Sequence, residues 1–88
     1  MPDSQVRTVP FDTRVYLDQA GHRCRLEAAL VTGPWDKPMW SVALLDDRGM
    51  SPIAGVAAVA QLGTREQARD VYRERLAALR AAGWRRET

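Results

Sequence analysis

Eighty-eight residues, 45% apolar and 27% charged, are enough for one small core and too apolar to read as a disordered segment. The formal charge is +2, and 12 of the 13 basic residues are arginine in a chain rich in alanine, a pairing that a GC-rich coding sequence commonly produces, so the basic count alone does not argue for a nucleic-acid ligand. A single cysteine, Cys24, excludes a disulfide framework; with no signal-like opening and no apolar run longer than Ile53–Ala60, the expectation is a cytoplasmic protein without a membrane segment.

In chain order, residues 1–5 are polar and are expected to be loose. From Thr13 the residues alternate, which predicts a half-buried strand with Val15 and Leu17 facing in and Arg14, Tyr16 and Asp18 facing out. Ala20-Gly21 breaks it. His22 to Thr32 reads as a second strand, with Cys24, Leu26, Ala28 and Leu30 inward and Arg23, Arg25 and Glu27 outward.

The stretch GPWDKPMW, residues 33–40, holds two of the three tryptophans among turn-forming Gly, Pro and Asp. It reads as a hairpin connection, with Trp35 at the margin and Trp40 opening the core of a third strand, Met39 to Leu45, beside Val42 and Leu44. Asp46-Asp47-Arg48-Gly49 forms the next turn.

Residues 52–62 admit two readings. Ser51-Pro52 suits a helix start, but Ile53, Val56 and Val59 are β-branched and Gly55 interrupts the run, which favours a strand. The last element is a helix over 64–83. Thr64 and Gln67 make a capping box, Arg65 to Ala82 holds helical propensity, Gly83 suits the left-handed stop, and Trp84 is placed to touch Leu79. At 100° per residue Ala68, Tyr72, Leu76 and Leu79 form its apolar face, with Val71, Ala78 and Ala82 beside it. Arg65, Arg69, Arg73 and Arg80 make a basic stripe next to an acidic one of Glu66, Asp70 and Glu74.

No catalytic constellation emerges. His22 and Cys24, two apart on one strand, lack the partners of a zinc site and stand too far apart for a nucleophile–base pair. Asp46-Asp47 reads as a solvated turn, and the phosphate-binding and nucleophile-elbow motifs are missing. The reading is a non-enzyme with no cofactor, no metal and no evident small-molecule substrate.

Two surfaces stand out. Val31, Met39 and Leu45, apolar residues on outward positions, together with Arg75, Ala78 and Ala82 of the helix, are candidates for a protein interface. Arg75 sits inside the apolar sector, its stem along the edge and its head toward water. Arg14, Tyr16, Arg23 and Arg25, expected on one sheet face, with Arg65, Arg69 and Arg73, are candidates for nucleic-acid contact.

Three strands and a helix opening T-x-E-x-A (Thr64, Glu66, Ala68) resemble, over residues 39–80, the arm-binding domains of phage-type integrases and the WGR-type and HicB-type domains. The resemblance implies a DNA-associated role. Against it, Ile53 to Gln61 carries no basic residue, no Trp-Gly-Arg triplet occurs, and the Gly-x-Thr spacing is shortened to Gly63-Thr64, so no family is assigned.

The sequence therefore predicts one small α+β domain over residues 1–88, an antiparallel meander of three to four strands packed by a C-terminal helix. The core is expected to hold Val15, Leu17, Leu26, Leu30, Trp40, Val42, Leu44, Tyr72, Leu76, Leu79 and Trp84. The function expected is a protein-interaction module, self-associating or part of a larger bacterial or phage complex. The alternative is a nucleic-acid-binding accessory domain.

Overall fold

The computed structural model describes residues 6–34 and 37–87; the segment 1–5 expected to be loose and the marginal Trp35 lie outside them. Along the chain come β1 (Arg7–Leu17), β2 (Arg23–Thr32), β3 (Met39–Asp46), β4 (Val59–Leu62), α1 (Arg65–Ala81) and β5 (Arg85–Arg86). All pairings are antiparallel, and the five-stranded sheet runs β4-β3-β2-β1-β5. The α+β class stands, with one strand more than expected: after α1 the chain returns to the far edge, where Arg85 and Arg86 pair with Leu17 and Tyr16.

Two turns at the same end of the sheet share one design. In Asp18-Gln19-Ala20-Gly21-His22, Asp18 Oδ1 accepts from the Ala20 and His22 amides at 2.9 and 2.8 Å. In Asp46-Asp47-Arg48-Gly49-Met50, Asp46 Oδ1 accepts from the Arg48 and Met50 amides at 2.9 and 3.0 Å. A carboxylate that binds the backbone ahead of it closes each turn. Register sets the two side by side, since Cys24 is opposite Asp46.

Helix α1 starts and stops as its sequence dictates. Thr64 Oγ1 accepts from the Gln67 amide at 3.1 Å, while Gln67 Oε1 accepts from the Gly63 amide at 3.2 Å, one residue earlier than in the standard box. At the other end Gly83 has φ 90°, the Trp84 amide donates to Leu79 O at 2.9 Å and the Gly83 amide to Arg80 O at 3.1 Å, the two bonds of a Schellman motif.

The helix lies on one face of the sheet, here the inner face. Tyr16, Cys24, Leu26, Val42 and Leu44 from the strands meet Ala68, Tyr72 and Leu79 from α1, and Trp40, Leu76 and Trp84 pack around them. Ile53 and Val56 cover the β3 side of the same core. They do so from a run of turns and bends, because strand structure in residues 52–62 is confined to Val59–Leu62.

The first strand departs from expectation twice. It begins at Arg7 rather than Thr13, and a bulge between Pro10 and Asp12 shifts its register. Its faces are also reversed: Tyr16 is 3% exposed in the core, while Val15 and Leu17 lie on the opposite face and outside the core cluster. Val15, Tyr16 and Leu17 put apolar groups on both sides, so β1 alone does not define its inner face. Pairing with β2 does, by setting Tyr16 opposite Cys24 and Arg14 opposite Leu26. Leu30, also expected inside, is only half-buried and outside the core cluster.

Candidate functional site

The outer face, opposite the helix, follows from register and alternation. Its rows are Val15, Arg25 and Leu45, then Thr13, Glu27, Ala43 and Val59, then Pro10, Ala29, Ser41 and Gln61, and then Thr8, Val31 and Met39. α1 packs on the other face, and no residue of the core cluster lies on this one; here Ala29 is buried at 3% exposure, Val15, Val31, Met39 and Leu45 are half-buried and Val59 is 51% exposed. Three of the candidate interface residues, Val31, Met39 and Leu45, come together here; Val31 and Met39 are direct cross-strand partners. The other three do not join them. Arg75 and Ala78 on α1 are half-buried and Ala82, its C-cap, is exposed, all in the other layer of the fold.

Charge on this face is ordered along β2. Arg23 donates to Glu87 at 2.7 Å and so ties the C-terminal segment to the hairpin. Glu27 accepts from Thr13 Oγ1 at 3.1 Å. Arg25, exposed between Val15 and Leu45, has no ion-pair partner among the described residues.

The four-residue sheet patch expected for nucleic acid does not form. Arg23 and Arg25 face out, but Tyr16 is in the core and Arg14 is turned beneath the helix. Arg65, Arg69 and Arg73 are exposed on α1, so the basic candidates split between the two sides of the molecule.

Beneath α1 the displaced arginine takes part in a polar group that the sequence reading missed. Arg14 Nε lies 3.3 Å from Asp12 Oδ2, and its guanidinium carbon is 5.7 Å from the Tyr72 ring centroid. The Tyr16 hydroxyl, more than any other neighbour, holds the Arg14 proton on still more firmly than usual. No group meets hydrogen-bond geometry with the buried Tyr72 hydroxyl, although the Asp12 carboxylate lies close enough to act on it; burial first, and then Asp12, push its proton affinity well above the usual phenol range.

Next to this group a groove of about 270 Å³ opens between the first turns of α1 and the sheet. Phe11, Asp12 and Trp40 line its sheet side, and Arg65, Arg69 and Tyr72 its helix side. Phe11 and Trp40 form a tilted aromatic pair with centroids 4.9 Å apart, and Phe11 is 53% exposed. Its position follows from the β1 bulge, a device that re-aims side chains. The signal readable beforehand was Pro10-Phe11-Asp12 itself, a proline and an aromatic residue at the head of an alternating run.

His22 and Cys24, read as structural, sit apart in character. His22 is exposed and its Nδ1 is 2.9 Å from Asp18 Oδ2, whereas Cys24 is buried in the core. No described helix is long and apolar enough to cross a membrane. No protein-family model, no curated protein and no solved structure matches this chain.

Proposed function

We propose that the chain is a non-catalytic protein-interaction module that pairs with a second copy of itself through the outer face of its sheet. The observation that carries this reading is the apolar row of that face, where Val59 is exposed and Val15, Val31, Met39 and Leu45 are half-buried, none of them part of the core on the inner side. Burying such side chains contributes about 25 cal/mol per Å² of apolar area.

A second copy fits better than an unrelated partner because the charges on β2 are self-complementary. A two-fold axis passing between Arg25 and Glu27 sets Arg25 of each copy against Glu27 of the other, the reciprocal contact that an isologous interface requires. The small row of Ala29 and Ser41 permits close approach of the two sheets. Strands about 4.8 Å apart, rising about 3.3 Å per residue, give this face on the order of 600 Å² before side-chain relief is counted. A standard interface takes about 800 Å² per partner, so a dimer in concentration-dependent exchange is expected.

Sedimentation equilibrium over a wide concentration range tests it. The expected result is a reversible rise to twice the chain mass, abolished by Leu45→Glu and by Arg25→Glu and regained when Arg25→Glu is combined with Glu27→Arg. A monomer at every concentration up to millimolar overturns the reading.

A further inference from the structure

The groove at the head of α1 lies on the inner side of the molecule, away from the face proposed for pairing, and its chemistry is of a different kind. We propose that it is a nucleotide-binding site, taking a guanine base against Phe11, Trp40 and Asp12 and the attached phosphate on Arg65 and Arg69.

Five features converge. Phe11 and Trp40, 4.9 Å apart, offer aromatic surface that the fold does not cover, and Phe11 is 53% exposed. Base–aromatic stacking is the general use of such a surface in nucleotide recognition. Ala28 and Ala68 contribute only methyl groups to the groove, leaving about 270 Å³. That is near the lower end for small-molecule sites, so it suits one base and its sugar rather than a dinucleotide.

The base is chosen by Asp12. Its side chain is 44% exposed, and its contact to Arg14 is made by Oδ2, 3.3 Å from Nε. A carboxylate accepts and never donates, so it favours an edge with adjacent donors. Guanine presents N1–H and N2–H₂ side by side. Adenine and cytosine place a ring acceptor beside their amino group, and uracil flanks its single N–H with carbonyls. Each of those edges therefore sets a lone pair against Asp12.

The phosphate is placed by α1. Arg65 and Arg69, four residues apart and both exposed, line the groove at the first turns of the helix, and neither is in an ion pair among the described residues. Guanidinium groups and the positive end of a helix both favour a phosphate there. Tyr72 supplies an independent pointer to a ligand. It lines the groove at 7% exposure, and its hydroxyl has no partner. A guanine held by Asp12 brings hydrogen-bonding atoms within reach of this hydroxyl.

Titration calorimetry on the whole chain tests this with GMP, guanosine, AMP and a short single-stranded RNA containing one internal guanosine. GMP is expected to bind at least about tenfold more tightly than AMP. Arg69→Ala should weaken GMP about five- to tenfold and leave guanosine unchanged. Asp12→Asn should erase the preference for GMP; if that variant does not fold, Phe11→Ala, an exposed position, should weaken GMP about tenfold instead. Binding of GMP alone identifies a free nucleotide as the ligand, and equal or tighter binding of the RNA identifies a single strand; either supports the site. Equal affinity for GMP and AMP, or no heat with GMP or the RNA at millimolar concentration, overturns it. The monomeric Leu45→Glu variant should bind GMP as the parent does, so this test is independent of self-association.

Discussion

The Arg14 guanidinium carbon stands 5.7 Å from the centre of the Tyr72 ring, so a charge from the middle of β1 is held against the buried side of α1. The ring contributes twice, as packing surface and as a partner for the cation. Its hydroxyl contributes neither, being buried without a hydrogen-bond partner. Tyr72→Phe is therefore expected to leave stability unchanged or to raise it by about 1 kcal/mol, whereas Tyr72→Ala should cost about 3–5 kcal/mol. Urea unfolding of the two variants checks the contrast, and a large loss in Tyr72→Phe would mean that the hydroxyl has a partner after all.

Neighbouring residues of β1 test which side of that strand is inside. Tyr16 is 3% exposed and its neighbour Val15 lies on the uncovered face. Tyr16→Ala should cost about 3–5 kcal/mol, and Val15→Thr should change the stability of the monomer by no more than about 0.5 kcal/mol. The opposite ranking in thermal melts would restore the faces that alternation alone suggests.

That reversal marks where the sequence stops being informative. In β2 the pattern is unambiguous: Cys24 and Leu26 face in because their neighbours Arg23, Arg25 and Glu27 could not, and register then sets Leu44 of β3 opposite Leu26 and Val42 opposite Ala28. The helix is equally legible, since Thr64, Gln67, Gly83 and Trp84 each specify a local bond that the chain makes. β1 is not, because Val15, Tyr16 and Leu17 satisfy either face and the choice comes from cross-strand register, a non-local property. The groove was hidden for the same reason. Phe11 and Trp40 are far apart in sequence and meet only because a bulge turns one toward the other.

Gly83 carries the most sharply defined local requirement. At φ 90° it occupies a conformation that costs a residue with a Cβ roughly 1–2 kcal/mol, and nothing stands within 4 Å of where that atom would be. Gly83→Ala should therefore lower stability by about 1–2 kcal/mol through the backbone alone. Gly83→Asn should lose less, because asparagine tolerates this region. Thermal unfolding that ranks Ala above Asn in stability would count against the Schellman stop.

Acid should act through the paired turns. Asp18 is held below its ordinary carboxylate range chiefly by His22, through the side-chain contact and the amide, and Asp46 chiefly by the Met50 and Arg48 amides. Both folded-state values are depressed, so their contribution is present above the unfolded value of 3.8 and is lost as pH falls through the lower folded values. Stability measured from pH 6 down should fall most steeply below about pH 4. Asp18→Asn and Asp46→Asn, which keep an acceptor oxygen but cannot titrate, should each flatten that fall.

Cys24 predicts the alkaline counterpart. The thiol is 2% exposed, and burial first, then Asp46 and Asp18, push it up from 9.0 to about 11. Here the folded state keeps its proton longer than the unfolded chain, so stability declines as pH rises from about 9 toward 11. The same shift makes Cys24 a poor nucleophile, because the thiolate is the reactive form. A thiol reagent at neutral pH should therefore modify the native protein only at the rate at which it opens, and added urea should accelerate the reaction in step with unfolding. Cys24→Ser should remove the decline contributed between pH 9 and 11 and cost stability at all pH values through a hydroxyl placed in an apolar core. Rapid modification of the folded protein at neutral pH would show that the β2 side of the core is open to solvent, and with it that α1 does not seal the inner face.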